Sequence, residues 1–222
     1  MLKTQLHIHA GEDKVDKLGY SAKDVIDKAK ALNFDVIAFT FHDAFFYTEE
    51  IKNYAKENNI LLIPGIEKTI ENRHVLILGI ETFPELNKLS DLKKLNNEAL
   101  IIAPHPFYPR GYSLKEKLIE NIDLFHCIEH SFLYTSFFNY NKKAIKLAKK
   151  HNKPIFGSSD IHDLYYFDKT YTLVDSKKTT KDVINAIKSN KIKLVTKPVS
   201  IGKFISTSIN VIFHKLFKLF RN

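Results

Sequence analysis

The sequence holds one cysteine, no tryptophan, three arginines, and only seven glycines and seven prolines in 222 residues. A lone thiol, Cys127, excludes an internal disulfide and a structural zinc site of the multi-cysteine kind. Scarce glycine and proline, beside 17 Phe, 10 Tyr and 44% hydrophobic residues, exclude a linker-rich or disordered chain. With arginine confined to positions 73, 110 and 221, the formal charge of +9 comes almost entirely from lysine. Lysine gives diffuse attraction to anions, not the bidentate forks of sequence-specific nucleic-acid contacts. Residues 1–10 lack the apolar run of a signal peptide, so a reducing, cytoplasmic location is expected.

What is present is an alternation. Apolar, strand-like runs at 2–6, 36–40, 60–66, 75–80, 100–103, 124–128 and 154–156 are interleaved with helical patterns. A helix is predicted to start at Ser21, with Asp24 as a variant capping box and Val25, Ile26, Ala29 and Leu32 on one face. Further helices are predicted over 48–58, 139–151 and 180–189. This length suits one α/β domain, either a doubly wound sheet or a closed barrel, which periodicity does not separate. After Pro198 the composition shifts. Residues 201–220 read as a basic amphipathic helix, with Ile205, Ile209, Ile212, Leu216 and Phe220 on one face and Lys203, Thr207, Asn210, His214 and Arg221 on the other. It either packs on the domain or meets a membrane surface or another subunit. Its apolar stretch is too short to span a bilayer. The expected division is 1–197 and 198–222.

Polar residues able to bind metal recur at the strand ends. His7 and His9 lie two apart, so an extended backbone points both imidazoles to one side. Chance often produces such a pair. The recurrence of His42 and Asp43, Glu67, His105, His130, Asp160 and His162 after later strands is what gives it meaning, because strand ends that converge bring distant residues to one cavity. Imidazole with carboxylate suits Zn, Mn or Fe, and this many ligands exceeds what one tetrahedral ion uses.

Five segments carry a resemblance: Gln5-Leu6-His7-Ile8-His9, Phe39-Thr40-Phe41-His42-Asp43, Ile63-Pro64-Gly65-Ile66-Glu67, Ala103-Pro104-His105-Pro106, and Gly157-Ser158-Ser159-Asp160-Ile161-His162. Over about residues 2–196 the chain resembles the PHP (polymerase and histidinol phosphatase) family. The resemblance implies a distorted (β/α)7 TIM-like barrel and two or three divalent metal ions. It implies His7, His9, His42, Glu67, His74, His105, Asp160 and His162 as ligands, with His130 at a position that varies in the family. A carboxylate soon after the His-x-His pair is also implied, Glu12 or Asp13, of which Asp13 is preferred. Two departures stand out: Gln5 and Phe41 occupy positions where the family usually has Asp.

The implied activity is a metal-dependent phosphoesterase in which metal-activated water attacks a small phosphomonoester or nucleotide. His162 or His105 is the expected proton donor to the leaving oxygen, Asp160 counts with them as catalytic, and Arg110 is the candidate grip on the substrate phosphate. Other readings are a nuclease acting on short single strands and a non-catalytic RNA-binding subunit.

Overall fold

Strand β1 (Leu2–Ile8) opens the chain and leads into helix α1 (Ala22–Ala31). The predicted capping box is formed: the Asp24 N–H donates to Ser21 Oγ at 3.2 Å, and the Ser21 N–H donates to Asp24 Oδ2 at 2.7 Å. Strand β2 (Val36–Phe39), α2 (Glu49–Glu57) capped by Thr48, and the short β3 (Leu61–Leu62) follow. Next come β4 (Gly65–Ile70), β5 (Arg73–Leu78), β6 (Leu100–Ala103), α3 (Glu116–Glu120) and β7 (Cys127–Ser131). The order closes with α4 (Asn141–Lys150), β8 (Ile155–Ser158), β9 (Thr170–Val174), α5 (Thr180–Lys188) and β10 (Ile192–Thr196). The structure is a computed structural model that describes residues 1–95 and 97–207.

The α/β reading holds but the barrel does not. The strands form two mixed sheets of five, in the orders β10-β9-β1-β2-β3 and β4-β5-β6-β7-β8. Four antiparallel joins, β4 with β5, β5 with β6, and β9 with both β1 and β10, break the expected run of parallel crossovers. Strands β4 and β5 form a hairpin whose turn residues, Glu71 and Asn72, both have positive φ, as a twist-matched two-residue turn requires. On the other sheet, β9 pairs antiparallel with both β1 and β10. The apolar run 124–128 is also displaced: its first residue, Leu124, closes a 3-10 turn, and the strand occupies 127–131.

A shared core joins the sheets. Leu6 and Val36 from one sheet, with Ile63 just after β3, meet Leu76, Leu100, Ile102 and Phe156 from the other, with Val183, Ile184 and Ile187 of α5 packed among them. Helices α1 and α2 cover the outer face of the first sheet, and α3 and α4 lie over the second. Gly157 is where β8 passes closest to its neighbour, because a Cβ there would meet Leu194 Cδ1 at 2.2 Å and Thr170 Cγ2 at 3.1 Å.

Two isolated bridges, Ile8 to Ile161 and His42 to Glu67, tie the two sheets to each other. Residues 198–200 are held by a hydrogen bond from the Val199 N–H to the Tyr134 carbonyl. Residues 201–207 are helical. The rest of the predicted C-terminal helix lies outside the described residues.

Candidate metal centre

The two bridges frame the cluster of histidines and carboxylates. The His9 N–H donates to the Ile161 carbonyl and the Ile161 N–H to the His7 carbonyl, while the Asp43 N–H donates to the Glu67 carbonyl. Backbone pairing therefore places His7, His9, His42, Glu67 and the 160–162 segment at one junction. His105 and Asp160 reach it with positive φ, 29° and 42°, a conformation uncommon for non-glycine residues and concentrated at functional sites.

Glu67 is the hub. Its Oε2 lies 3.4 Å from His7 Nε2, 3.4 Å from His9 Nε2 and 3.2 Å from His42 Nε2. Its Oε1 lies 2.8 Å from His74 Nδ1 and 3.2 Å from His105 Nε2. Asp160 closes the other side, with Oδ1 3.3 Å from His7 Nε2 and 3.2 Å from His162 Nδ1, and Oδ2 3.2 Å from Arg110 Nη1. Four overlapping groups have donor atoms close enough to share an ion: His9, Asp16, His42 and His162; His7, His105 and Asp160; His7, His9 and Glu67; and His42, Glu67 and His74.

The orientation of the imidazoles tests whether the donors suit metal ions. His7 Nδ1 faces Glu129 Oε1 at 2.8 Å and His9 Nδ1 faces Asp13 Oδ2 at 2.9 Å. A carboxylate on one nitrogen fixes the tautomer and leaves the lone pair of the other for a metal. Those other atoms, His7 Nε2 and His9 Nε2, are buried and have no hydrogen-bond partner, yet both point at Glu67 Oε2 and Asp160 Oδ1. Buried polar atoms are rarely left so. The donor set fits divalent ions.

The field of the carboxylates agrees. Burial alone lowers His42 and His162, but hydrogen bonds that His42 donates to Asp13 and Asp16 push it up to about 10, and Asp160 with Asp16 pushes His162 up to about 10. A field that holds a proton this firmly also attracts a divalent cation. Burial alone would raise Asp13, yet its hydrogen bonds with His42 and His9 hold the carboxyl well below the usual range.

Of the residues singled out in the sequence, His7, His9, His42, Glu67, His74, His105, Asp160 and His162 are brought together. Asp13 stands behind them. Its Oδ2 is shared by His9 Nδ1, His42 Nδ1 and the His42 N–H, so it orients two imidazoles and is absent from all four groups. The carboxylate that joins a group is Asp16, with Oδ2 3.0 Å from His162 Nε2 and 3.2 Å from His42 Nδ1. Glu12 instead accepts the Ala22 N–H at the start of α1. His130 lies outside the groups, its ring edge-on to Tyr134. Its neighbour Glu129 is the inward residue of that strand: fully buried, it accepts from His7, the His105 N–H and Ser158 Oγ. Sequence reading missed Asp16 and Glu129.

The two departures also have structural roles. Gln5, fully buried, accepts the Ser159 N–H at 3.1 Å and donates to the carbonyls of Phe167 and Thr170, fixing the segment that carries Asp160 and His162. Phe41 packs against Phe39 and Phe46 in the apolar layer under α1 and α2.

A family model described as PHP-associated matches residues 138–192, which span α4, β8, Asp160, His162, β9 and α5. No curated protein sequence matches the chain. Among solved structures, PsfC from Pseudomonas syringae superposes with a TM-score of 0.63 at 17% identity, covering 97% of this chain and 100% of that one. A protein described as a metal-dependent phosphoesterase from Bifidobacterium adolescentis gives 0.56 at 12% identity, covering 72% of this chain and 87% of that one. An amidohydrolase from Chromobacterium violaceum, solved with bound sulfate and no metal, gives 0.57 at 15% identity with the same coverage. These likenesses establish a shared fold.

Proposed function

We propose that this chain is a PHP-like, metal-dependent hydrolase acting on phosphoric esters, with a small phosphomonoester or a nucleotide as substrate, a reading supported by the PHP-associated match over residues 138–192. The observation that carries this reading is the pair of buried, unpartnered nitrogens, His7 Nε2 and His9 Nε2, converging on Glu67 and Asp160. His7, His9, Glu67, His105 and Asp160 would hold ions in the interior, and Asp16, His42, His74 and His162 would complete the sites toward solvent. Two or three ions of Zn, Mn or Fe suit this set. Divalent ions supply Lewis acidity, lowering the pKa of water toward neutrality and offsetting charge on phosphoryl oxygens.

The chain's own residues do the rest. Asp160 steadies His162, whose Nδ1 lies 3.0 Å from the Asp160 carbonyl. At 37% exposure, His162 is the member of the cluster most open to solvent, where it can pass a proton to a leaving oxygen. His105, buried and held by its own N–H to Glu129, belongs to the wall of the site and is the alternative donor. Arg110 engages Asp160 through Nη1, and the other donors of its fork suit a substrate phosphate. Tyr112 stacks on His74 at 4.2 Å between centroids and lies beneath the Arg110 guanidinium, which keeps that fork on the rim.

Elemental analysis of the purified protein, combined with hydrolysis of a chromogenic phosphate ester under added Mn or Zn, tests the reading against Asp160→Ala. Two or more equivalents of metal, and turnover lost in the variant, are expected. A protein that takes up no metal and hydrolyses no ester while binding RNA tightly and salt-sensitively would reject it in favour of a non-catalytic RNA-binding subunit.

A further inference from the structure

Opposite the ordinary expectation for an amphipathic helix, residues 201–207 turn their isoleucines outward. Phe204 and Thr207 face the domain: Phe204 packs on the cluster of Tyr108, Phe132, Leu133, Tyr166 and Val199, and Thr207 Oγ1 lies 2.7 Å from Tyr166 Oη. Ile201 and Ile205 are left 52% and 50% exposed. The loop after β7 adds Phe137 and Phe138, 75% and 61% exposed, and Phe138 stacks on Phe204 at 6.2 Å. Isolated exposed apolar residues need no explanation, but four large ones joined through one stacked pair form a patch.

The patch is set in positive charge. Lys203 and Lys169 both lie over the ring of Tyr165, at 4.6 and 4.9 Å, beside the helix, Lys169 also pairing with Asp168 at 3.0 Å and Lys203 supplying the net charge. From residue 183 to the end of the chain there is no Asp or Glu, against seven lysines and Arg221. The apolar spacing begun by Ile205 continues in the sequence through Ile209, Ile212, Leu216 and Phe220. The helix base is anchored, since Val199 donates to the Tyr134 carbonyl and Lys197 to the Lys169 carbonyl, so the patch is presented at a fixed place on the domain. No helix among the described residues is long and apolar enough to cross a membrane.

We propose that this surface docks the protein on an anionic lipid bilayer, with Phe137, Phe138, Ile201 and Ile205 entering the headgroup boundary and the lysines meeting lipid charge. Aromatic and aliphatic side chains ringed by cations, with no acidic residue on the adjoining segment, supply the two signals that interfacial binding combines. The segment 159–170 carries both Asp160 and Tyr165, so docking would hold the candidate metal centre near the membrane plane.

Co-sedimentation of the full chain with vesicles of phosphatidylcholine, alone or mixed with phosphatidylserine, tests this without any variant. Binding at least about tenfold tighter to the anionic vesicles, weakening as salt rises, is expected. Ile201→Ser with Ile205→Ser, and separately Phe137→Ser with Phe138→Ser, should each weaken that binding about tenfold while the thermal midpoint stays at the wild-type value. The proposal fails if anionic vesicles are not bound, if they are bound no better than neutral ones, or if neither double variant alters the partition. It also fails if the wild type is a dimer that these substitutions dissociate and that leaves vesicles alone, since the patch would then belong to a second copy of the chain.

Discussion

For the proposed metal centre, replacing Glu129 separates a residue that would hold metal from one that would aim the residues holding it. The carboxylate is fully buried, belongs to none of the four ligand groups, and accepts from His7 Nδ1 at 2.8 Å, from the His105 N–H at 2.5 Å and from Ser158 Oγ. Glu129→Ala strands three buried donors at about 1–3 kcal/mol each, which is enough to unfold a marginal domain and would say little about metal. Glu129→Gln keeps the shape and one acceptor oxygen. With that oxygen kept toward His7 and Ser158, the His105 N–H loses its acceptor, so the metal-free protein should lose about 1–3 kcal/mol. What it loses is the anionic partner that fixes the His7 tautomer, and outer partners of this type are worth about 10–100-fold in metal affinity. Titration of Zn or Mn against a competing chelator, with thermal unfolding of the metal-free protein alongside, reads both quantities. Affinity within about threefold of wild type, in a metal-free protein that still unfolds cooperatively, would refute the argument.

Asp16→Asn should lower the bound metal by one equivalent while the interior ions around His7 and His105 remain, because Asp16 meets only His9, His42 and His162; unchanged stoichiometry by elemental analysis would remove Asp16 from the centre. Gln5→Leu leaves the buried Ser159 N–H and the Phe167 carbonyl without their partner, so a loss of about 2–4 kcal/mol in urea unfolding is expected, and a neutral result would show that Gln5 does not fix the 159–170 segment. His126 is lowered from the ordinary 6.5 to about 4 by burial, with Lys188 and Lys153 assisting, and its Nδ1 accepts the Ile101 N–H. The unfolded chain therefore binds the extra proton first as pH falls, and the stability from this residue, complete above pH 6.5, should drain away toward pH 4. After discounting for partial exposure this is about 1–2 kcal/mol, and His126→Asn, which keeps an acceptor but does not titrate, should flatten that part of the stability profile; an identical profile in both proteins would contradict it.

The centre was more legible in the sequence than the fold around it, and the reason lies in residue type. A histidine pair at the period of an extended strand means little alone, but imidazoles and carboxylates recurring after later strands mark a shared face whatever the sheet does beyond them. Strand pairing has no such marker. Residues 170–174 and 192–196 alternate polar and apolar side chains, so they showed no apolar run, yet as β9 and β10 they add the antiparallel pairings that build the outer part of one sheet. The turn at Glu71 and Asn72 lacks the glycine that usually advertises a hairpin, so β4 and β5 read as separate units of a parallel series. Asp16 was hidden for a related reason: the loop after His9 offers Glu12, Asp13 and Asp16 with no periodicity to rank them, and only the folded loop sends one to a helix end, one behind the imidazoles and one into the cluster. Glu129 was legible in principle, since adjacent residues of a strand face opposite ways and only one of Glu129 and His130 can point at His7. Choosing between them needed the register that sets His130 opposite Gly157 and Glu129 opposite Phe156, and register comes from the partner strand.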